Sequence, residues 1–319
     1  MKYRNLGRTD LSVSEISLGT WAFGNNVYGG VTEHDAIKTI HSAVDKGINF
    51  YDTAPQYGTQ KQDGVAEIVL GKALKSKRKD IIISSKFGRN PTIENGASQF
   101  YKTRVVSSVE ESLKRLKTDY IDILFFHSPF SPNEISDDVW EGLEQVRKQG
   151  KVRYVGHSIS KLKETEDLSL NWSNNKKIDV VQLVLSLMNR EAINLINRLS
   201  SMNIGIVARE CLANGFLAGT FNDKTTFPEG SLNARYTAEE LKSRITQVNK
   251  FKSFIRKDST MVQTALRWVL DQKGISTVLS GAKNEKELVE AVGSSNIESF
   301  DTLELNKALK ILQHNFEAA

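Results

Sequence analysis

The sequence predicts an α/β protein, a closed (β/α)8 TIM barrel with an N-terminal β-hairpin and extra helices, occupying residues 1–319 as a single domain. Three observations predict it. Eight apolar runs of strand length alternate with segments of helical period, the rhythm of repeated βα units. Runs such as Ile81-Ile82-Ile83 and Ile121-Asp122-Ile123-Leu124-Phe125-Phe126 are nearly continuous in apolar residues, as expected where both faces of a parallel sheet are covered. The chain of 319 residues, without a Pro- or Ser-rich linker, suits one barrel, which spans roughly 250 residues or more.

Taken in order, Tyr3 to Leu6 and Leu11 to Val13, separated by Gly7-Arg8-Thr9-Asp10, read as a hairpin ahead of the barrel. The eight barrel strands are expected at Glu15 to Gly19, Gly47 to Thr53, Asp80 to Lys86, Tyr120 to His127, Val152 to Ser158, Val180 to Leu187, Gly205 to Arg209 and Ser276 to Gly281. Amphipathic stretches between them, with apolar residues at three- and four-residue steps, predict helices over His34 to Lys46, Ala66 to Ser76, Thr103 to Leu116, Asp137 to Lys148, Lys161 to Leu170, Arg190 to Ser201 and Met261 to Asp271. Two long connections, Arg89 to Gln99 and Ala213 to Thr237, follow the third and seventh strands, where loops of a barrel commonly serve binding. An extra helix is expected over Ala238 to Lys257 and a last one over Leu303 to Phe316.

Composition narrows the partners. Of the residues, 39% are hydrophobic and 25% charged, with a net charge of +5 spread over a mixed surface; this is a globular composition. The cluster Lys75-Ser76-Lys77-Arg78-Lys79 abuts acids and reads as a solvated helix end rather than a nucleic-acid patch. One cysteine, Cys211, excludes an internal disulfide and a cysteine-based metal cage. The start lacks the apolar core of a signal peptide and no apolar run approaches the roughly 20 residues of a membrane span. A cytoplasmic protein without nucleic-acid, membrane or metal partners is expected, and in that setting the glycosylation spacing Asn171-Trp172-Ser173 carries no meaning.

On this layout the strand ends carry Asp52, Lys86, His127, Ser158, Arg209 and Ser280, which a barrel directs toward one mouth. Singly, each has a plainer role: Asp52 as a turn cap, Lys86 as a solvated strand end, His127 as a core histidine, Tyr57 as a rim aromatic. Together, ionisable groups at the ends of neighbouring apolar strands need one another to be satisfied. The chemistry that suits them is proton donation by the Tyr57 phenol. Its ordinary pKa is near 10, so a cation is expected to bring it toward working pH. Lys86 would supply the charge, Asp52 would hold Lys86, and His127 would hydrogen-bond the same substrate oxygen.

The segments Leu18-Gly19-Thr20-Trp21, Phe50 to Gly58, Ser85-Lys86, Asp122 to His127, Gly156-His157-Ser158, Val181-Gln182-Leu183 and Leu279-Ser280-Gly281-Ala282 resemble those of the aldo-keto reductase family, in family order and over almost the whole chain. The resemblance implies an NAD(P)H-dependent oxidoreductase that reduces an aldehyde or ketone to an alcohol, with the catalytic tetrad Asp52, Tyr57, Lys86 and His127 and with Tyr57 as proton donor. It implies cofactor contacts at Gly19, Thr20, Trp21 and Asp52, and at Ser158 and Gln182 on the nicotinamide amide. Ile159 stands where the family has asparagine. Arg209-Glu210-Cys211-Leu212 replaces the family's Tyr-Ser-Pro-Leu; Arg209 is a flat group able to stack on a ring, Leu212 keeps its place, and Glu210 has no assigned role. The resemblance further places Ser280, Gly281 and Ala282 at the pyrophosphate, with Gly281 permitting close backbone approach and the helix that follows offering free N–H groups. It places Lys283 at the 2′-phosphate, favouring NADPH over NADH, and Glu287 and Glu290 at the adenosine, with Ala291 in place of an asparagine. A small-molecule carbonyl substrate would meet Trp21, Tyr57, His127 and Phe130, with Phe87 and the two long loops as further walls.

Two alternatives have a foothold. Tyr57 and Lys61 match the Tyr-x-x-x-Lys of short-chain dehydrogenases, but Gly19-Thr20-Trp21-Ala22-Phe23-Gly24 lacks the glycine spacing of a dinucleotide turn. A cofactor-binding regulatory subunit of the channel β-subunit type shares the implied fold. The sequence shows no N-terminal extension for a partner, and turnover of simple aldehydes would separate the two.

Overall fold

The computed structural model describes residues 1–93, 97–312 and 315–316. Strands β1 (Tyr3–Asn5) and β2 (Ser12–Ser14) pair antiparallel as the expected hairpin. Its turn needs a glycine: Gly7 has φ +56, and a Cβ there would lie 2.1 Å from the backbone nitrogen of Gly205. The close approach seats Leu6, Leu11 and Val13 in one buried cluster with Phe50, Ile82, Ile123, Phe125, Val180 and Val207. The hairpin therefore closes the bottom of the barrel and fills part of its interior.

Eight strands form that barrel: β3 (Ile16–Gly19), β4 (Phe50–Asp52), β5 (Ile82–Phe87), β6 (Ile121–His127), β7 (Val152–Ser158), β8 (Val180–Val184), β9 (Gly205–Arg209) and β10 (Ile275–Ser280). All neighbours are parallel, and β10 pairs with both β9 and β3, which closes the sheet. The outer layer comprises α1 (Glu33–Asp45), α2 (Val65–Leu74), α3 (Lys102–Leu116), α4 (Val139–Lys148), α5 (Leu162–Asn174) and α6 (Ile193–Ser201), then, past the extra helix α7 (Ala238–Lys250), α8 (Met261–Leu270) and α9 (Glu285–Gly293); α10 (Thr302–Ile311) follows.

Several boundaries differ from the sequence reading, each for a local reason. The second strand starts at Phe50 rather than Gly47, because Gly47 turns at φ +81. The sixth stops at Val184, since Ser186 and Asn189 close a tight turn in which the Ser186 N–H donates to the Asn189 carbonyl at 2.8 Å. Helix α5 runs on to Asn174. Helix α7 ends at Lys250, where Phe251 and Phe254 turn into the core and Phe254 stacks on Phe300. The last helix ends at Ile311: Arg190 takes the Leu309 and Leu312 carbonyls at 3.1 Å, and Leu312 is extended. Asn95 and Gly96 of the Arg89 to Gln99 loop, and two residues of the last expected helix, lie outside the described residues.

Strand parity positions the site. Side chains two apart on a strand share a face, so Phe50, Ile82, Ile123, Phe125, Val180 and Val207 of the interior cluster continue, at the C-terminal ends, into Asp52, Ser84, Lys86, His127, Gln182 and Arg209. One layer up from the apolar fill, the barrel becomes polar.

Candidate functional site

Asp52 is the hub of that polar layer. Its Oδ1 accepts from Ser84 Oγ at 2.7 Å and Gln182 Nε2 at 2.9 Å, and its Oδ2 accepts from Lys86 Nζ at 2.7 Å and the Tyr57 hydroxyl at 3.4 Å. Lys86 also donates to the Thr53 carbonyl at 2.9 Å and to Tyr57 Oη at 3.1 Å. All three ammonium protons thus have acceptors. Asp52 and Lys86 are each 1% exposed, and a buried pair of this kind persists only where the remaining hydrogen-bonding capacity is met.

Tyr57 reaches this pair from the turn after β4. Glycine is required opposite it: a Cβ on Gly24 would lie 2.0 Å from the Tyr57 carbonyl oxygen, so the Trp21–Phe23 turn packs directly on the Tyr57 main chain. The Trp21 ring stacks near the phenol, with centroids 6.1 Å apart and 28° between planes, and meets Tyr28 edge-on at 5.7 Å. His127 faces Tyr57 edge-on at 6.0 Å, and its buried Nδ1 has no partner.

The electrostatics correct one expectation. Lys86 does not bring the phenol toward neutrality: burial, and next the Asp52 carboxylate, hold the Tyr57 pKa well above its ordinary value, while Arg209 pulls the other way. Asp52 shares one oxygen with both Lys86 and Tyr57, so the ammonium is already neutralised where the phenol meets it. Burial also lowers the Lys86 pKa against the opposing pull of Asp52. The His127 pKa falls well below its ordinary value, first through burial and then through Lys86, Arg209 and Arg89. The mouth therefore presents a protonated phenol beside a neutral imidazole.

Arg209, at the end of β9, is ion-paired with Glu210 and donates from Nη2 to the Ile159 carbonyl and to Ser160 Oγ, both at 2.9 Å. Ser160 in turn donates to Ser128 Oγ at 2.9 Å, beside His127. Ser158 donates to Gln182 Oε1 at 3.4 Å, and Thr20 donates to the Asp52 carbonyl at 2.9 Å. Thr20, Trp21, Asp52, Tyr57, Lys86, His127, Ser158, Gln182, Arg209 and Glu210 are thus linked through one mouth, and Gly19 pairs with Asp52 across the β3–β4 ladder.

Other expected residues lie elsewhere. Phe87 is not a mouth wall; it has the opposite parity to Lys86 and is fully buried between Phe100 and Phe126. Ser280 is buried but out of phase with Leu279, which packs on the interior cluster. Phe130 is 45% exposed and carries the Arg89 guanidinium 3.9 Å above its ring. At the start of α9, the Glu287 carboxylate accepts from the Lys283 N–H at 3.0 Å, and Lys283 Nζ lies 3.9 Å from it. Glu290 is half-buried on the same helix, Ala291 and Ala282 are buried in the core, and Leu212 packs against that core.

Four residues were missed. Ser84 shares its strand and parity with Lys86, a signal that alternation alone provides. Arg89 donates from Nε to the His127 and Ser128 carbonyls, both at 3.1 Å, and pairs with Glu134, bracing the backbone on which His127 sits. Tyr28 and Asn214 meet across the mouth through a 3.2 Å hydrogen bond; both lie in aperiodic loops, and nothing in their spacing announces the contact.

Comparison with known proteins shows the family and the fold. The model of the Aldo/keto reductase family matches residues 15–312. Aldo-keto reductase YhdN of Bacillus subtilis (strain 168) is 28% identical over 97% of this chain and 94% of its own length. The structure of aldo-keto reductase AKR11C1 from Bacillus halodurans in its holo form superposes with a TM-score of 0.79 at 25% identity, covering 99% of this chain and 98% of that one. The glycerol dehydrogenase AKR11B4 from Gluconobacter oxydans gives the same TM-score at 26% identity, covering 97% and 94%. The chain belongs to the aldo/keto reductase family and is an oxidoreductase enzyme.

Proposed function

We propose that the chain reduces the carbonyl of a small aldehyde or ketone to an alcohol, with NADPH as the preferred reductant over NADH and Tyr57 as the proton donor. The observation that carries this reading is the string Asp52–Lys86–Tyr57, hydrogen-bonded end to end and facing a neutral His127. The residues present fit a dinucleotide. A Cβ added to Gly281 would meet no protein atom within 4 Å, so packing does not account for that glycine, whereas close approach of a phosphate does.

Gly19, Thr20, Trp21, Ser158, Gln182, Arg209, Glu210 and Leu212 would hold the nicotinamide end, and Ser280, Gly281, Ala282, Lys283, Glu287 and Glu290 the phosphate and adenosine end. These residues would hold a reduced nicotinamide whose chemistry there would be hydride donation to the carbonyl carbon. Tyr57 gives its proton to the oxygen, and the high pKa keeps that proton in place until an alkoxide forms. Lys86 then stabilises the phenolate left behind, with Asp52 holding the ammonium. His127, neutral, offers an imidazole N–H to the same oxygen, and Trp21, stacked near the phenol, walls the substrate. A cytoplasmic setting belongs to the same proposal, in keeping with the single cysteine of the sequence.

General acid catalysis of this type contributes roughly 10²- to 10⁴-fold, so Tyr57→Phe should lose carbonyl reduction by about that factor while still binding dinucleotide. Turnover of an aldehyde and ketone panel near the wild-type rate in that variant would refute the assignment. Dinucleotide retention by the wild type with no turnover across the panel would favour the regulatory-subunit role. Lys283→Ala should narrow the preference for NADPH over NADH; an unchanged preference removes Lys283 from the site.

A further inference from the structure

Arg209 and Glu210 are an uncommon pairing of chain neighbours. Adjacent residues of a strand point to opposite faces, and the two meet only because Glu210 turns at φ +54, a conformation disfavoured for a residue with a Cβ. That turn brings the carboxylate back onto the guanidinium, while its other oxygen accepts from Asn214 Nδ2 at 3.3 Å. Both side chains are largely enclosed, 17% and 8% exposed. The guanidinium stands close enough to the reacting groups for its charge to act on Tyr57, Lys86 and His127.

We propose that Glu210 neutralises Arg209 so that the mouth accepts the positive charge of an oxidised nicotinamide, which makes Glu210 the residue that sets the affinity ratio between oxidised and reduced dinucleotide. The inference rests on the nicotinamide site proposed above. With Tyr57 protonated and His127 neutral, the cations acting on the mouth are each paired among the described residues, Lys86 with Asp52, Arg209 with Glu210 and, beside His127, Arg89 with Glu134, and these charges balance. The reduced ring is uncharged and the oxidised ring carries one positive charge; contacts to the rest of the dinucleotide are common to both. Removing the Glu210 charge therefore leaves an uncompensated cation that repels only the oxidised form. For charges roughly 6 Å apart at an effective dielectric constant near 20, the repulsion corresponds to a change on the order of a hundredfold in relative affinity.

The test is titration of intrinsic tryptophan fluorescence with NADP⁺ and with NADPH, for the wild type, Glu210→Gln, Arg209→Gln and the double variant. The ratio of the oxidised to the reduced dissociation constant should rise on the order of a hundredfold in Glu210→Gln, fall in Arg209→Gln, and return to within about twofold of wild type in the double variant. Equal weakening of both forms in Glu210→Gln would mean that the residue only shapes the loop, and would overturn the proposal. Should Glu210→Gln not fold, an unchanged ratio in Arg209→Gln would overturn it as well. A wild type that binds neither form would instead sink the nicotinamide site itself.

Discussion

Two histidines on neighbouring strands show how one sheet separates chemistry from packing. His127 pairs across the β6–β7 ladder with Ser158, and His157 pairs with Phe126, so the two rings differ by one register position and point to opposite faces. Both sit in low-dielectric surroundings that disfavour the charged form, and each has one buried nitrogen without a partner. His127 looks into the mouth, edge-on to Tyr57. His157 looks outward into the helix layer, where its Nδ1 meets Ser169 Oγ at 2.6 Å and its ring lies 5.1 Å from that of Trp172. The difference lies in what surrounds each ring: cations and a phenol around one, aromatic side chains around the other.

The largest expected effect breaks the outward side alone. Trp172, 6% exposed on α5, packs against Phe126 at 4.8 Å, Trp140 at 5.1 Å and His157. Trp172→Ala removes a large buried ring from a site flanked by other rings, and should cost about 3–5 kcal/mol of stability. Urea unfolding measures the loss, and turnover per folded molecule should stay close to wild type. A fall in turnover as large as that of a mouth variant would mean that the two faces are coupled through β6.

The inward side should respond in the reverse sense. His127→Gln removes an imidazole that is proposed to stabilise charge on the substrate oxygen, and losing one such donor typically lowers the rate by about 10²- to 10³-fold. The urea midpoint should move little, because the wild-type ring already has an unpartnered nitrogen. Steady-state rates on a reducible carbonyl, set beside the urea curve, decide it; a variant that loses stability and keeps its rate would make His127 a packing residue like His157.

What the sequence reveals of the site follows the same division. Positions governed by strand alternation were legible: Asp52, Lys86, His127, Ser158 and Arg209 lie at the ends of predicted strands and share the inward parity, whereas Ser280 does not, because Leu279 takes the inward place on β10. Phe87, expected as a wall, faces away from the mouth because it follows Lys86 on the strand and so has the opposite parity. The pKa of Tyr57 was misjudged because sequence reveals a cation but not that its counter-ion shares the same oxygen. Tyr28, Arg89 and Asn214 were illegible for another reason. Their loops are fixed by long-range contacts, such as the Leu232 N–H to the Val27 carbonyl at 2.9 Å and the Asn233 side chain to the Asn214 carbonyl at 2.9 Å, which leave no periodic trace.

The smallest effect is the most direct measure of how alike the two rings are. The His157 pKa is pushed down to about 3 by burial alone, against about 6.5 in an unfolded chain. Between those values the unfolded state binds a proton that the native state refuses. Stability is therefore fully present above about pH 6.5 and is lost as pH falls toward the folded value, at up to about 1.4 kcal/mol per pH unit. His127 contributes in the same direction, with Lys86, Arg209 and Arg89 adding to its burial. From pH 6.5 to 5, where most carboxylates remain ionised in both states, His157→Gln should flatten the dependence of urea stability on pH by up to that slope. His127→Gln should flatten it by a similar amount at low salt. Raising the ionic strength should shrink only the His127 share, because added ions screen neighbouring charges and leave desolvation by aromatic rings untouched. A His157 slope that weakens equally with salt would show that charges reach the outward face, and that the sheet does not separate the two environments.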